Sequence, residues 1–247
     1  AVVTDDFGHI PFDFTEAKNH VTITTAALEA VITLSPFSLD VFRFDGSPVV
    51  QSAKERGILF LNDAWAVVRK RTRDDRFFGL GQKTGRFNRA GGRYVMHNED
   101  IILEHGIPGA FSGTHDPYYI SIPLLYHMTT SNGMVSASFF DNAYPMRFDL
   151  DDPDHWRVVC TGGCMTEYIF AGPTIASILT RFSELTGRMT APPLWALGHH
   201  QCRWYDYRDE DIRALASAYR ERAIPCDSLW LDIDYMDDFR IFTWDGY

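Results

Sequence analysis

Cysteine is scarce in this sequence, with four residues among 247, which is too few for a disulfide framework in a chain of this length. Cys160 and Cys164 flank a Gly-Gly pair in CTGGC. They either bridge a tight turn or are two neighbouring buried thiols, and we favour the thiols. His199, His200 and Cys202 have metal-binding side chains, but no second His/Cys group lies at ligand spacing, so we expect neither a metal site nor a cofactor.

Long apolar runs are also missing, since none approaches the roughly 18 residues that a membrane span requires. The first residues, AVVTDDFGHIPFDF, lack the basic and apolar regions of a signal peptide. Positive charge is in deficit, and the formal net charge of −10 excludes the basic surface that nucleic acid or anionic lipid needs. We therefore expect no nucleic-acid partner and no membrane association.

Aromatic residues are abundant by contrast, with 6 Trp, 11 Tyr and 18 Phe making up 14% of the chain. Flat aromatic faces pack well on the C–H faces of sugar rings, so the surplus fits a carbohydrate site. It fits a large β core equally well. Composition alone leaves both interpretations open.

Residues 1–171 predict an antiparallel β-sandwich. Short runs rich in β-branched residues, such as 20–35 and 64–72, are separated by turn formers without intervening helical patterns. The pair Asn132-Gly133 is the strongest hairpin signal in the chain. Residues 82–116 differ, being polar and rich in glycine, and a segment of that length within a domain is typical of a functional loop.

The pattern changes at residue 172. Apolar spacing predicts a linker helix within 172–191 and a second helix over 207–224, between apolar runs at 192–204 and 226–234 that predict buried strands. Strand, helix and strand in this order make a parallel βαβ unit. Two parallel strands cannot cover both faces of their own sheet, so residues 192–247 are expected to begin a larger α/β domain.

Carboxylates follow the second of these strands. Asp232 and Asp234 lie where the apolar run ends, and the carboxyl end of a parallel strand is where such sheets carry ligands. We favour Asp232 as a ligand for hydroxyl groups over a loop cap, whereas the two roles are balanced for Asp234. Asp237 and Asp238 fit a solvated turn. Trp204, which ends the preceding strand, either lines a pocket or is buried.

Several segments together resemble one family. GLGQKTGRFNRAGGRYVMHNED, DPYYISIPLLY, FAGPTIASILTRFSELTGRMTAPPLWALGHHQCRW and WLDIDYMDDFRIFTWD are similar to the α-glucosidases of glycoside hydrolase family 31, from about residue 77 to the last residue. The resemblance implies an N-terminal β-sandwich followed by a (β/α)8 TIM barrel. It also implies retaining hydrolysis of terminal α-linked glucose from the non-reducing end of oligosaccharides, by two carboxylates.

The resemblance assigns substrate-binding roles to four residues. Asp232 matches an acid that holds the hydroxyls of the terminal glucose, and Ile233 touches the same sugar. Trp204 matches a pocket wall, and Asp100 matches an acid on a sandwich loop that reaches over the barrel mouth. On its chemistry alone Asp100 would be a surface acid, so its role depends on the resemblance.

No catalytic residue is predicted in this chain. The family nucleophile lies in a W-x-D-M-N-E-like segment that does not occur in these residues, so the catalytic pair is expected in the remainder of the same enzyme. The expected partners are that remainder and an α-glucoside oligosaccharide. A transglucosylase, an α-glucan lyase or an α-xylosidase on the same scaffold, or a non-catalytic carbohydrate-binding sandwich, remain as alternatives.

Overall fold

The computed structural model describes residues 1–99 and 115–246. The chain divides into two compact units, residues 1–188 and residues 189–247. In the first unit the described strands are β1 Asp13–Glu16, β2 His20–Thr24, β3 Leu28–Leu34, β4 Phe37–Arg43, β5 Pro48–Val50, β6 Ile58–Leu61, β7 Ala64–Lys70, β8 Arg76–Gly81, β9 Arg93–Met96, β10 Ser121–Met128, β11 Val135–Phe140, β12 Met146–Asp149, β13 His155–Cys160 and β14 Glu167–Phe170. Helix α1, Ile175–Thr186, follows them.

These strands form three antiparallel sheets, ordered β1-β2-β3-β4-β5, β6-β7-β13-β12-β9 and β14-β11-β10-β8. The hairpin predicted at Asn132-Gly133 joins β10 to β11, where Asn132 Oδ1 accepts the Met134 amide at 3.0 Å. The apolar run 20–35 is two strands rather than one, because Thr25 turns the chain by accepting the Leu28 amide at 3.0 Å.

The main core lies between the second and third sheets. Its large, fully buried side chains include Phe77, Leu125, Phe140, Phe148 and Trp156. Each such side chain contributes about 1.5–3 kcal/mol by leaving water. This pair of packed sheets is the predicted antiparallel sandwich.

Helix α1 covers the other face of the third sheet. It begins at a Thr174 cap, whose hydroxyl accepts the Ser177 amide at 3.2 Å while Ser177 reciprocates. Ile178 and Leu185 pack against Leu124, Tyr126, Val135, Ala137 and Phe139. Strand β11 is therefore buried at every position, since the sandwich core covers one face and the helix the other.

A buried arginine connects the three sheets. Arg69 on β7 donates to the carbonyl of Leu39 on β4 at 2.7 Å, to Ser52 Oγ at 2.8 Å and to Glu167 Oε2 on β14 at 2.7 Å. Its side chain is fully buried, and a charge in that position persists only when it is paired. The network therefore fixes the N-terminal sheet relative to the sandwich.

The second unit contains the predicted βαβ arrangement. A 3-10 turn at Leu194–Leu197 precedes β15 His200–Cys202, helix α2 Asp209–Glu221, β16 Ser228–Trp230 and a second 3-10 turn at Asp237–Phe239. Strands β15 and β16 are parallel. None of the described helices is long and apolar enough to cross a bilayer.

Two expectations about local structure need correction. Strands β15 and β16 contain three residues each and are half-buried to exposed, where longer buried strands were predicted, because a two-stranded sheet leaves much of its surface uncovered. Cys160 and Cys164 are both free thiols, but only Cys160 is buried. The Gly-Gly turn carries Cys164 out to the surface.

Candidate functional site

Two of the predicted site residues meet at one edge of the parallel pair. The final rung of the ladder joins Cys202 of β15 to Trp230 of β16. Trp204 and Asp232 each follow that rung by two residues, so the register brings both to the carboxyl edge. This is the edge at which parallel α/β sheets bind ligands.

The carboxylate of Asp232 is available for a ligand. Asp232 is half-buried, and among residues 1–99 and 115–246 no hydrogen bond or ion pair involves its side chain. Asp234 is half-buried and unpaired within the same ranges. An ionised carboxylate only accepts hydrogen bonds, so these acids suit hydroxyl donors. Asp237 differs because Arg240 forms an ion pair with it, as expected of a loop acid.

Apolar surface lies beside these acids. Trp204 is 67% exposed and Ile233 is 45% exposed, so both side chains are accessible within the described residues. The neighbouring Arg203 places its guanidinium over the ring of Tyr205, 4.7 Å from the centroid. Accessible aromatic and aliphatic faces next to free carboxylates suit a ring with one apolar face and several hydroxyls.

Beneath the edge lies a hydrogen-bonded group of rings that the sequence did not predict. Trp230 Nε1 donates to His200 Nδ1 at 2.9 Å, and His200 Nε2 lies 3.2 Å from the carbonyl oxygen of Trp195. Because Nδ1 accepts, the proton of the neutral imidazole is on Nε2, which donates to Trp195. The sequence suggested His200 only as a metal donor, and it is the register of β15 on β16 that places His200 and Trp230 on one face.

The opposite face of β15 holds helix α2. Tyr219 of the helix donates its hydroxyl proton to Gln201 Oε1 at 2.9 Å and lies 3.3 Å from His199 Nε2. Gly198 precedes the strand, and a Cβ there would lie 1.8 Å from Asp227 Oδ2. Only glycine lets the segment that leads into β15 approach so closely to the segment that leads into β16.

The stems of the 82–116 loop are held by a buried ion pair. Lys83 Nζ donates to Asp116 Oδ1 at 2.6 Å and to the Val95 carbonyl, while the Val95 amide donates to Asp116. Burial lowers the pKa of Lys83, and Asp116 partly offsets that effect. The pair satisfies the backbone N–H and carbonyl of Val95 on edge strand β9. Asp100, predicted to bind substrate from this loop, lies outside the described residues.

Comparison with known proteins identifies the scaffold. Residues 2–149 match the model of the glycosyl hydrolase 31 N-terminal galactose mutarotase-like domain. Residues 189–247 match the glycosyl hydrolases family 31 TIM-barrel domain. The chain belongs to glycosyl hydrolase family 31. The resemblance drawn from the motifs is confirmed, as is the mixed fold of a sandwich followed by the start of a TIM barrel.

The curated relatives include α-glucosidases. The chain is 35% identical over 232 residues to alpha-glucosidase 2 of Bacillus thermoamyloliquefaciens, covering 93% of this chain and 28% of that protein. It is 30% identical over 201 residues to the alpha-glucosidase of Saccharolobus solfataricus, covering 80% of this chain and 28% of that protein. The chain thus spans little more than a quarter of these relatives.

Solved structures of family 31 share the fold. The Flavobacterium johnsoniae dextranase FjDex31A, in a mutant form complexed with isomaltotriose, superimposes with a TM-score of 0.84 at 30% identity, over 99% of this chain and 29% of that one. A glucosidase II alpha subunit superimposes with a TM-score of 0.75 at 23% identity, over 95% of this chain and 30% of that one. The second likeness supports the fold only.

Proposed function

We propose that these residues are the N-terminal part of a retaining α-glucosidase that releases terminal α-linked glucose from the non-reducing end of oligosaccharides. The observation that carries the proposal is the half-buried carboxylate of Asp232, unpaired within residues 1–99 and 115–246, which the Cys202–Trp230 rung brings to the same edge as Trp204. The α-glucosidase relatives and the isomaltotriose complex of the dextranase support a glucose-containing substrate.

In this proposal the segment binds the sugar and does not attack it. Asp232 accepts hydrogen bonds from two hydroxyls of the terminal glucose, which fixes the ring against rotation. Trp204 and Ile233 supply the apolar contacts, and Asp100 keeps the substrate-binding role that the motifs imply. Hydrogen bonds to a charged acceptor are worth about 1.5–3 kcal/mol each. Those that strengthen as the sugar ring flattens towards the oxocarbenium-like transition state also accelerate the reaction.

The nucleophile and the general acid/base belong to the remainder of the enzyme. A retaining mechanism needs two carboxyl groups about 5–5.5 Å apart, one attacking the anomeric carbon and one protonating the departing oxygen. Asp232 and Asp234 are proposed to bind rather than to serve as that pair, because the family nucleophile motif does not occur in this sequence.

Product analysis of the full-length enzyme tests the proposal. Maltose and isomaltose are supplied separately to identify the products, and proton NMR follows the anomer of the single glucose first released from p-nitrophenyl α-glucoside. Release of α-glucose supports a retaining hydrolase. Initial β-glucose, an unsaturated or anhydro sugar, or transfer to a second sugar without net hydrolysis would overturn it in favour of inversion, a lyase or a transglucosylase. A preference for α-xylosides would change the substrate assignment, and sugar binding without turnover would indicate a binding protein.

A further inference from the structure

One hydrogen bond links the two strands that carry the candidate site without involving their backbones. It runs from the indole N–H of Trp230 on β16 to Nδ1 of His200 on β15, at 2.9 Å. The ring planes are inclined by only 22° with their centroids 6.0 Å apart, as expected when an in-plane donor meets an in-plane lone pair. The bond therefore fixes the orientation of both rings.

The same imidazole also ties in the chain that enters β15. Its Nε2 lies 3.2 Å from the carbonyl oxygen of Trp195, and the rings of Trp195 and His200 are 5.9 Å apart at 25°. Trp195 belongs to the 3-10 turn that precedes the strand. His200 thus uses both ring nitrogens, one to accept from the second strand and one to donate to the turn before the first.

The position of this bond connects it to the sugar site. Trp230 is the last paired residue of β16, and Asp232 follows it by two residues, about 7 Å along an extended chain. Each of the two strands contains only three residues, so few backbone hydrogen bonds hold their relative register. A side-chain bond from the last residue of β16 to the first residue of β15 therefore restricts how far Asp232 can shift relative to Trp204.

We propose that His200 is a positioning residue for the sugar site, acting through its hydrogen bond from Trp230 to hold Asp232 and Trp204 at the separation that the terminal sugar requires. This inference rests on the proposed function, because it concerns the precision of that same site. His200 touches neither the sugar nor the reacting atoms. His200 contributes to the affinity for the sugar ring. We therefore expect its loss to change KM and the dissociation constant for glucose more than kcat.

Two substitutions in the full-length enzyme separate the roles of the two ring nitrogens. In His200→Asn the side-chain carbonyl oxygen stands near the position of Nδ1 and still accepts from Trp230. In His200→Gln the amide nitrogen stands near the position of Nε2 and still donates to Trp195, but the acceptor for Trp230 is lost. The matched control is His199→Gln, which changes the neighbouring histidine on the opposite face of β15.

Kinetics and a spectroscopic signal are measured for each variant. We expect His200→Gln and Trp230→Phe each to raise KM, and the dissociation constant for glucose, about three- to tenfold, as loss of one neutral hydrogen bond predicts. In His200→Asn, KM and the dissociation constant for glucose should remain within twofold of the values of the parent enzyme. In the double variant His200→Gln/Trp230→Phe, KM should be no higher than in the single variants, because both substitutions remove the same hydrogen bond. In enzyme labelled with ¹⁵N-tryptophan, the Trp230 indole N–H resonance, assigned with Trp230→Phe, should move in His200→Gln and not in the control.

The two readouts distinguish failure of this inference from failure of the proposed function. If the indole resonance is unmoved in His200→Gln, or if the effects of His200→Gln and Trp230→Phe simply add, His200 does not position the site through Trp230. If the resonance moves as expected but Asp232→Asn leaves sugar binding unchanged, the proposed function of the site is wrong while the hydrogen bond stands. Equal losses in His200→Asn and His200→Gln would mean that His200 acts through packing alone, which also contradicts the inference.

Discussion

Cys202 and Trp230 are opposite each other in the last rung of the β15–β16 ladder. This one pairing decides that Trp204 and Asp232, which are 28 residues apart in the chain, emerge at a common edge. Neither residue is paired with the rest of the described chain, and both retain accessible surface.

Replacing Asp232 with asparagine should weaken sugar binding strongly. The substitution keeps the size of the side chain but removes the charge, so bonds to sugar hydroxyls lose their charge assistance. We expect kcat/KM of the full-length enzyme on maltose to fall about 10- to 150-fold, the equivalent of roughly 1.5–3 kcal/mol. Asp238→Asn is the matched control, since Asp238 is an exposed loop acid. Equal effects of the two substitutions would contradict a specific role for Asp232.

Replacing Trp204 with alanine should raise KM more than it lowers kcat. The exposed indole face offers apolar contact to the sugar ring in the ground state and the transition state alike, so its loss removes uniform binding. We expect KM for maltose to rise about tenfold, which corresponds to 1.4 kcal/mol. Trp244→Ala serves as a control, because Trp244 is a comparably exposed tryptophan, packed on Tyr235 in the following loop. An unchanged KM in Trp204→Ala would show that the indole is not a pocket wall.

Replacing Lys83 with methionine should destabilise the sandwich unit. The change leaves the carboxylate of Asp116 and the carbonyl of Val95 without their shared donor, and breaking one side of a buried pair costs about 3–5 kcal/mol. Thermal unfolding of the full-length enzyme and amide exchange of β9 report the effect. Arg213→Met provides the comparison, because it breaks the exposed Arg213–Asp209 pair on α2 and should change stability little. Similar behaviour of the two variants would mean that the Lys83 pair contributes no more than a surface pair.

Acid should loosen the sandwich around Asp75. Burial of this carboxyl favours its neutral form, but hydrogen bonds from His127 at 2.9 Å and from Thr72 at 2.8 Å outweigh that effect and lower its pKa below the ordinary value. A lowered native pKa adds stability above about pH 4, where the carboxyl of the unfolded chain is ionised, and that stability is lost as the pH falls through the native pKa.

Amide exchange of β8 and β10 measured from pH 5 downwards checks this expectation. The amides of these strands should become less protected as Asp75 is protonated. In Asp75→Asn they should be less protected already at pH 5, with a weaker dependence on pH below it. Asp5→Asn, at an exposed position, is the control that should preserve the parent profile. A parent-like profile in Asp75→Asn would remove Asp75 as the source of the acid sensitivity.

Local patterns in the sequence predicted much of the fold. The apolar spacing of α1, the Asn132-Gly133 turn and the strand–helix–strand order of the second unit each follow from interactions between residues near in sequence, so they are readable without the fold. The motifs identified the family and assigned substrate-binding roles to Asp232, Ile233, Trp204 and Asp100. The substrate-binding roles of all four residues stay predictions, and Asp100 lies outside the described residues.

Other features depended on contacts between residues far apart in the chain. The sequence alone determined that acids and a tryptophan follow two parallel strands, because alternation and apolar runs are local properties. Only the tertiary structure decided that β15 and β16 are short, that Trp230 bonds to His200, and that Lys83 and Asp116 cap Val95. The bonds of Trp230 to His200 and of Lys83 and Asp116 to Val95 are directional contacts across 12 or more residues, and no local propensity specifies their partners. The physical reason is that hydrogen bonds and ion pairs depend on geometry that exists only once the sheets have packed.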